Sequence, residues 1–157
     1  MFDKFVMGDP SMSKDVWPAA IALEAGAAVV RTWAILESCV VEKFGVFITV
    51  ALNYDTLTAA CVLKLKKRPT PGSASGEVVL ATITLLQGWA ALTSYFVKVD
   101  NALNAAKCKR GEELVAEITT QGAGGTEVGD FQPYWCGHPT DESAGNLGAY
   151  QVDITPA

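Results

Sequence analysis

The sequence predicts an all-β fold: one domain, a sandwich or jelly roll of about eight strands, behind an extended N-terminal arm. Three observations predict it. Short runs rich in Val, Ile and Thr alternate apolar and polar residues with a period of two. Clusters of Gly, Pro, Asn and Asp separate those runs. The length of 157 residues suits a single domain with a real core.

The arm is placed at residues 1–14 and the sandwich at 15–157. Met1 to Lys14 carries Phe2, Phe5, Val6 and Met7 with no periodic partner. It reads either as a disordered terminus or as an arm that docks on a neighbouring subunit, since free disordered tails are seldom this apolar. Ala19 to Val30 is a short helix or a first strand. Its alanines suit a helix, while Gly26 and the Val29–Val30 pair weaken one. Trp33 to Val41 is expected as a strand, with Trp33 in the core. Val46, Ile48, Val50 and Leu52 then alternate with Phe47, Thr49 and Ala51, ending in a turn at Asn53 to Asp55.

Cys61, Leu63 and Leu65 alternate with Lys64 and Lys66, a strand with one wet face. Pro69, Pro71, Gly72 and Gly76 make Arg68 to Gly76 a loop, and Glu77 to Leu85 returns as a strand. Gln87 and Gly88 break it. Thr93 to Asp100 follows, with Tyr95, Val97 and Val99 on one face. Lys109, Arg110 and Gly111 supply a turn before the alternating Leu114, Ala116 and Ile118. Gln121 to Gly129 is a glycine-rich loop, Phe131 to Cys136 a short aromatic strand, His138 to Gly148 a loop, and Tyr150, Val152 and Ile154 a last strand.

Composition narrows the function classes. The chain is 50% hydrophobic and only 18% charged, against about 25% charged for an average soluble domain. Such a chain struggles to cover a monomer with polar groups, so its surplus apolar surface is expected to be covered by other subunits. A net charge of −5 argues against a nucleic-acid binder. The one dense basic run, Lys64, Lys66, Lys67 and Arg68, reads as the solvated end of a strand. Glu24, Arg31, Glu37, Glu42 and Lys43 interrupt the apolar stretch from Val16 to Phe47, so no membrane helix is expected. The N-terminus lacks the apolar run of a secretory signal, and a cytoplasmic site of synthesis and assembly is expected.

Residues for chemistry are few. His138 is the only histidine, and no G-x-S-x-G elbow accompanies it. Glu112 and Glu113 are neighbours on a strand and point to opposite faces, while Asp141 and Glu142 lie in a loop. The glycines at 122, 124 and 125 lack the Lys-Ser/Thr ending of a phosphate loop. Asp100, Asn101 and Asn104 do not form an EF-hand pattern. Cys39, Cys61, Cys108 and Cys136 are widely spaced, with no C-x-x-C pair, and read as free thiols packed in a reducing compartment. No enzyme activity, cofactor or metal is expected. Trp17, which precedes Pro18, and Trp89, just after the Gln87–Gly88 turn, are candidate contact anchors.

From Arg68 to Gly125 the chain reads R-P-T-P-G-S-A-S-G-E-V-V-L-A-T-I-T-L, then Y-F-V-K-V-D, then K-R-G-E-E-L-V-A-E-I-T-T-Q-G-A-G-G. This Ala/Thr/Val/Gly-rich style of turn and strand, over roughly the second half of the chain, loosely resembles the decoration or cement proteins of tailed-bacteriophage heads. The resemblance rests on no diagnostic motif and transfers no functional residue. It implies a virion structural protein on the capsid surface, a homo-oligomer with a trimer favoured, whose partner is the major capsid protein. Phe2, Phe5, Val6, Met7, Trp17 and Trp89 are the candidate partner-binding residues, with no nucleic acid and no membrane among the partners. A carbohydrate- or receptor-binding module, with Trp89 or Trp135 and loop residues near Asp130 and Asp141, is the competing expectation. A neck or tail component is a related structural one.

Overall fold

The computed structural model describes residues 6–7, 21–22, 28–53, 61–86, 88–100, 104–120 and 128–140. They form two antiparallel sheets packed as a sandwich. In chain order the strands are β1 (Val6–Met7), β2 (Ile21–Ala22), β3 (Val29–Ala34), β4 (Cys39–Asn53), β5 (Cys61–Arg68), β6 (Val78–Leu85), β7 (Thr93–Lys98), β8 (Lys107–Cys108), β9 (Glu113–Thr120) and β10 (Val128–Pro139). A three-residue 3-10 turn, Asn104–Ala106, precedes β8.

The first sheet runs β1-β10-β4-β7, with β2 also on β10 and β8 also on β4. The second runs β3-β9-β5-β6. The chain therefore changes sheet at most of its connections, and β5–β6 is a hairpin within one sheet. The expected single strand from Trp33 to Val41 is two strands in different sheets. Ile35 to Ser38 carries the crossing, and its backbone is tied to the turn before β9. The Ile35 N–H donates to the Glu112 carbonyl at 3.0 Å, and the Gly111 N–H donates to the Ile35 carbonyl at 2.9 Å. The Arg110 N–H donates to Ser38 Oγ at 3.0 Å. Trp33 and Ile35 both face the core, and the same phase resumes at Cys39 and Val41 after the half-buried Glu37 at the change of sheet.

The inner faces follow the sequence pattern. Phe44, Val46, Ile48, Phe131 and Trp135 of the first sheet meet Leu63, Leu65, Ile83, Leu85, Leu114, Ala116 and Ile118 of the second in one buried cluster. Burying each large aliphatic or aromatic side chain contributes about 1.5–3 kcal/mol. Bulges reconcile long strands with this core. The register steps from Val41↔Gly137 to Lys43↔Cys136, so Glu42 is the extra residue, and Val41 and Phe44 both point inward. On β6 the step from Leu65↔Ala81 to Lys66↔Val79 makes Leu80 the extra residue. At Gly137 a Cβ would run into the Val40 carbonyl, so only glycine lets the two backbones approach there.

His138 and Pro139, expected in a loop, end β10 opposite Val40 and Cys39. The β4 pairing extends β10 through them, since β4 is 15 residues long and needs a partner along its first residues. Pro133 sits between the stretches of β10 that pair with β1 and β2, where a missing N–H is tolerated. Within Ala19 to Val30, Ile21–Ala22 and the start of β3 are strand. Tyr150 to Ile154 and most of the glycine-rich loop lie outside the described residues. None of the described helical residues forms a segment long and apolar enough to cross a membrane.

Leu63 is fully buried between the sheets. Leu63→Ala is expected to lower the unfolding free energy by about 2–5 kcal/mol, read as a shift of the urea midpoint at unchanged slope.

Candidate functional site

Four regions carry the exposed apolar groups, charges and reactive side chains that a function could use. The first is one flank of the sandwich. β6 ends one sheet and β7 ends the other, and the two edges touch. Val78 and Val79 on β6, Leu86 and Leu92 on the connection, and Phe96 on β7 are five of the eight exposed large hydrophobics among the described residues. Leu92 is 78% exposed and holds a positive φ of 58°, a left-handed conformation that a leucine seldom adopts. Its N–H donates to the Ile48 carbonyl at 2.8 Å, which fixes it at the start of β7.

Trp89 lies on the same connection. It is partly buried against the core and stacked on Tyr95, with ring centroids 4.0 Å apart and planes 5° from parallel. The Leu52 N–H donates to its carbonyl at 3.0 Å, and the Ala90 N–H donates to Tyr95 Oη at 3.2 Å. The ring is thus folded onto the sheet edge with one face used by Tyr95. Val6 and Met7 pair in register with Gly137 and Cys136 of β10, so their backbones add to this chain's own sheet. Phe2, Phe5 and Trp17 lie outside the described residues.

The second region is the outer face of the first sheet. A Cβ on Gly45 would overlap the Tyr134 ring, so that ring lies across the glycine. Tyr134 Oη and Ser94 Oγ share a hydrogen bond of 2.5 Å. Phe96, opposite Gly45 on β7, lies beneath the Lys43 ammonium at 5.0 Å, a cation–π contact.

The third is a charge network on the outer face of the second sheet. Lys66 Nζ lies 2.7 Å from Glu77 and 2.5 Å from Glu117. Arg68 reaches Glu77 at 3.2 Å and Glu113 at 3.8 Å. The Gly72 N–H donates to Glu113 Oε2 at 3.0 Å, which straps the loop after β5 to β9. The basic run expected to be solvated is largely neutralised at Lys66 and Arg68, whose side chains are 12% and 14% exposed. Lys67 instead donates to the Lys107 carbonyl at 2.9 Å. The register of β5 against β9, invisible locally, sets Glu113 opposite Arg68 and Glu117 opposite Lys64, diagonal to Lys66. Glu112 turns back to accept from the Lys109 N–H at 2.7 Å, so Glu112 and Glu113 do not share a site.

Fourth, His138 Nδ1 lies 2.9 Å from Glu42 at the β4 bulge, an exposed pair. Beside the crossing at Ile35, a shallow cleft of about 300 Å³ is lined by Ala34, Leu36, Pro71 and Arg110 among others. Among the described residues, no three His, Cys, Asp or Glu side chains converge as a metal site. Cys39 and Cys108, distant in sequence, face each other across β4 and β8. Strand pairing, which no local spacing reveals, makes them neighbours.

The chain matches no known protein family, no curated protein and no solved structure.

The hydrogen bond from Lys66, helped by that from Arg68, holds the Glu77 carboxyl below its ordinary 4.5, with burial opposing. Glu117 and then Glu77 push Lys66 above its ordinary 10.5, again against burial. Glu77 therefore adds stability above about pH 4.5, lost as pH falls through its folded pKa. Lys66 adds stability below about pH 10.5, lost as pH rises through its folded pKa. Glu77→Gln is expected to lower the urea midpoint at pH 7, and the gap from the unmodified protein should close as pH falls below about 4.5.

Proposed function

We propose that this chain is a structural component of an assembly, a virion protein of the capsid-decoration type. It binds the outside of a capsid lattice, cements neighbouring major capsid subunits and works as a homo-oligomer, with a trimer favoured. The observation that carries this reading is the β6–β7 flank. Two sheet edges lie side by side there, with Val78, Val79, Leu86, Leu92 and Phe96 exposed. Open edges offer backbone hydrogen bonds to a partner strand, and exposed apolar side chains supply the area that association buries. The low charge of 18% fits a surface that is partly covered in use. Strand order supports the reading further. With β1 and β2 sharing the first edge position, the order β1/β2-β10-β4-β7 against β3-β9-β5-β6 fits a jelly-roll reading of the sandwich, an architecture of viral capsid and lectin domains. The virion assignment itself rests on the resemblance of the second half to decoration proteins.

A cement protein opposes expansion of the capsid by bridging subunits. Each bound copy stabilises the assembled lattice by mass action, because it binds the assembled state and not the separated one. A second reading has one specific observation in its favour. Tyr134 across Gly45, beside the exposed Phe96, makes an aromatic face of the kind that stacks on sugar rings. Under that reading the chain is a carbohydrate- or receptor-binding module.

Multi-angle light scattering of the purified chain is expected to give a trimer or a larger closed oligomer. The Leu92→Asp/Phe96→Asp double variant should shift to monomer with an unchanged far-UV circular dichroism spectrum. The unmodified protein should also co-sediment with a capsid lattice. A monomer at every concentration, together with no lattice binding, would overturn the structural reading. Tyrosine fluorescence quenched by a glycan, and lost in Tyr134→Ala, would put the binding module in its place.

A further inference from the structure

We propose that Cys39 and Cys108 are a latent disulfide site, a pair built to close into a covalent clip when the protein meets a disulfide oxidant. The two are direct partners in the antiparallel pairing of β4 and β8. Directly opposed residues in such a pair have Cα atoms about 4.5–5.5 Å apart and side chains on the same face. Disulfides form at Cα separations of about 4.4–6.8 Å, so this register meets the Cα requirement, and the hydrogen bond between the two thiols brings their sulfurs together. Both thiols point into the core, 0% and 1% exposed, and both are reduced. The Cys108 thiol also reaches the Ala106 carbonyl at 3.8 Å, which holds it beside the end of the 3-10 turn.

The remaining two cysteines lack this arrangement. Cys61 is buried opposite Leu85, and Cys136 is partly exposed on β10 opposite Lys43. The Cys39 thiol is pushed far above the ordinary thiol range by its hydrogen bond to Cys108, and burial adds to that. The same bond lowers Cys108, with Lys67 assisting and burial opposing. Cys108 sits on the two-residue β8, so opening of that strand exposes its sulfur and it attacks first.

The oxidant is a small-molecule disulfide such as oxidised glutathione. The Cys108 thiolate attacks one of its sulfurs, the S–S bond breaks, and one reduced thiol leaves. Cys39 then loses its proton and attacks the Cys108 sulfur of the mixed disulfide, releasing the second reduced thiol. The protein loses two electrons and two protons, and the oxidant gains both. Burial makes the reaction wait for opening of β8, a two-residue strand after a three-residue 3-10 turn. The closed clip ties β8 to the first residue of β4 across a long loop, which restricts the unfolded chain.

The test is incubation of the full chain with oxidised glutathione, followed by thiol titration in denaturant and peptide mapping by mass spectrometry. The thiol count is expected to fall from four to two. The one cross-linked peptide pair should join Cys39 to Cys108, and Tm should rise on the order of 10 °C. The Cys61→Ser/Cys136→Ser variant should form the same cross-link. A map dominated by Cys136 adducts or by any other pairing, a Tm that falls on oxidation, or no reaction even in mild urea would overturn the proposal. Because the mapping uses the unmodified chain, the result does not depend on whether cysteine variants fold.

Discussion

The ladder between β4 and β10 is the constraint on which the rest of the structure depends. Eleven paired positions join them, from Val128↔Asn53 to Pro139↔Cys39. Every other strand of the first sheet hangs on one of the two: β1 and β2 on β10, β7 and β8 on β4. The same ladder presents Phe44, Val46, Ile48, Phe131 and Trp135 to the opposing sheet. Strands average five or six residues, and a 15-residue strand must bend to stay on a curved core. The bulge at Glu42 supplies a bend, and Gly137 permits the close backbone approach beside it.

From this frame the outer surface divides unevenly. The charges of the second sheet are drawn into one network around Lys66 and Arg68, held down by the strapped loop at Gly72. Val115, on that same outer face, is fully buried, with Lys66 and Thr32 as its cross-strand neighbours. A chain with so few charges that pairs several of them together has fewer left to wet its remaining surface. The β6–β7 flank is where the shortage shows, and it is also where, among the described residues, both sheets end. Composition, topology and exposed side chains thus converge on one side of the molecule.

Much of the fold was legible in the sequence because the period-two signal is strong. Cys61 to Leu65, Glu77 to Leu85 and Leu114 to Ile118 are rich in strand-forming residues at that period, and the structure has β5, β6 and β9 there, with the bulge at Leu80 and the buried Val115 as the interruptions. Reading failed where the signal was non-local. The split of Trp33 to Val41 between sheets leaves only one mark, Glu37, since Trp33, Ile35, Cys39 and Val41 on either side of it keep the same buried phase. His138 looked like a loop residue because Gly137 and Pro139 surround it, yet pairing with β4 outweighs those local preferences. The same limit hid the candidate sites. That β6 and β7 adjoin, that Lys66 faces Glu117, and that Cys39 meets Cys108 all follow from strand order, which no window of sequence contains.

Amide hydrogen exchange, compared between dilute protein and its associated form, tests the central claim most directly. If the β6–β7 flank is the association surface, added protection should concentrate in peptides covering residues 78–86 and 92–98, while β5 and β9 stay unchanged. Association that protects other peptides and leaves both edges exchanging as in dilute protein would contradict it.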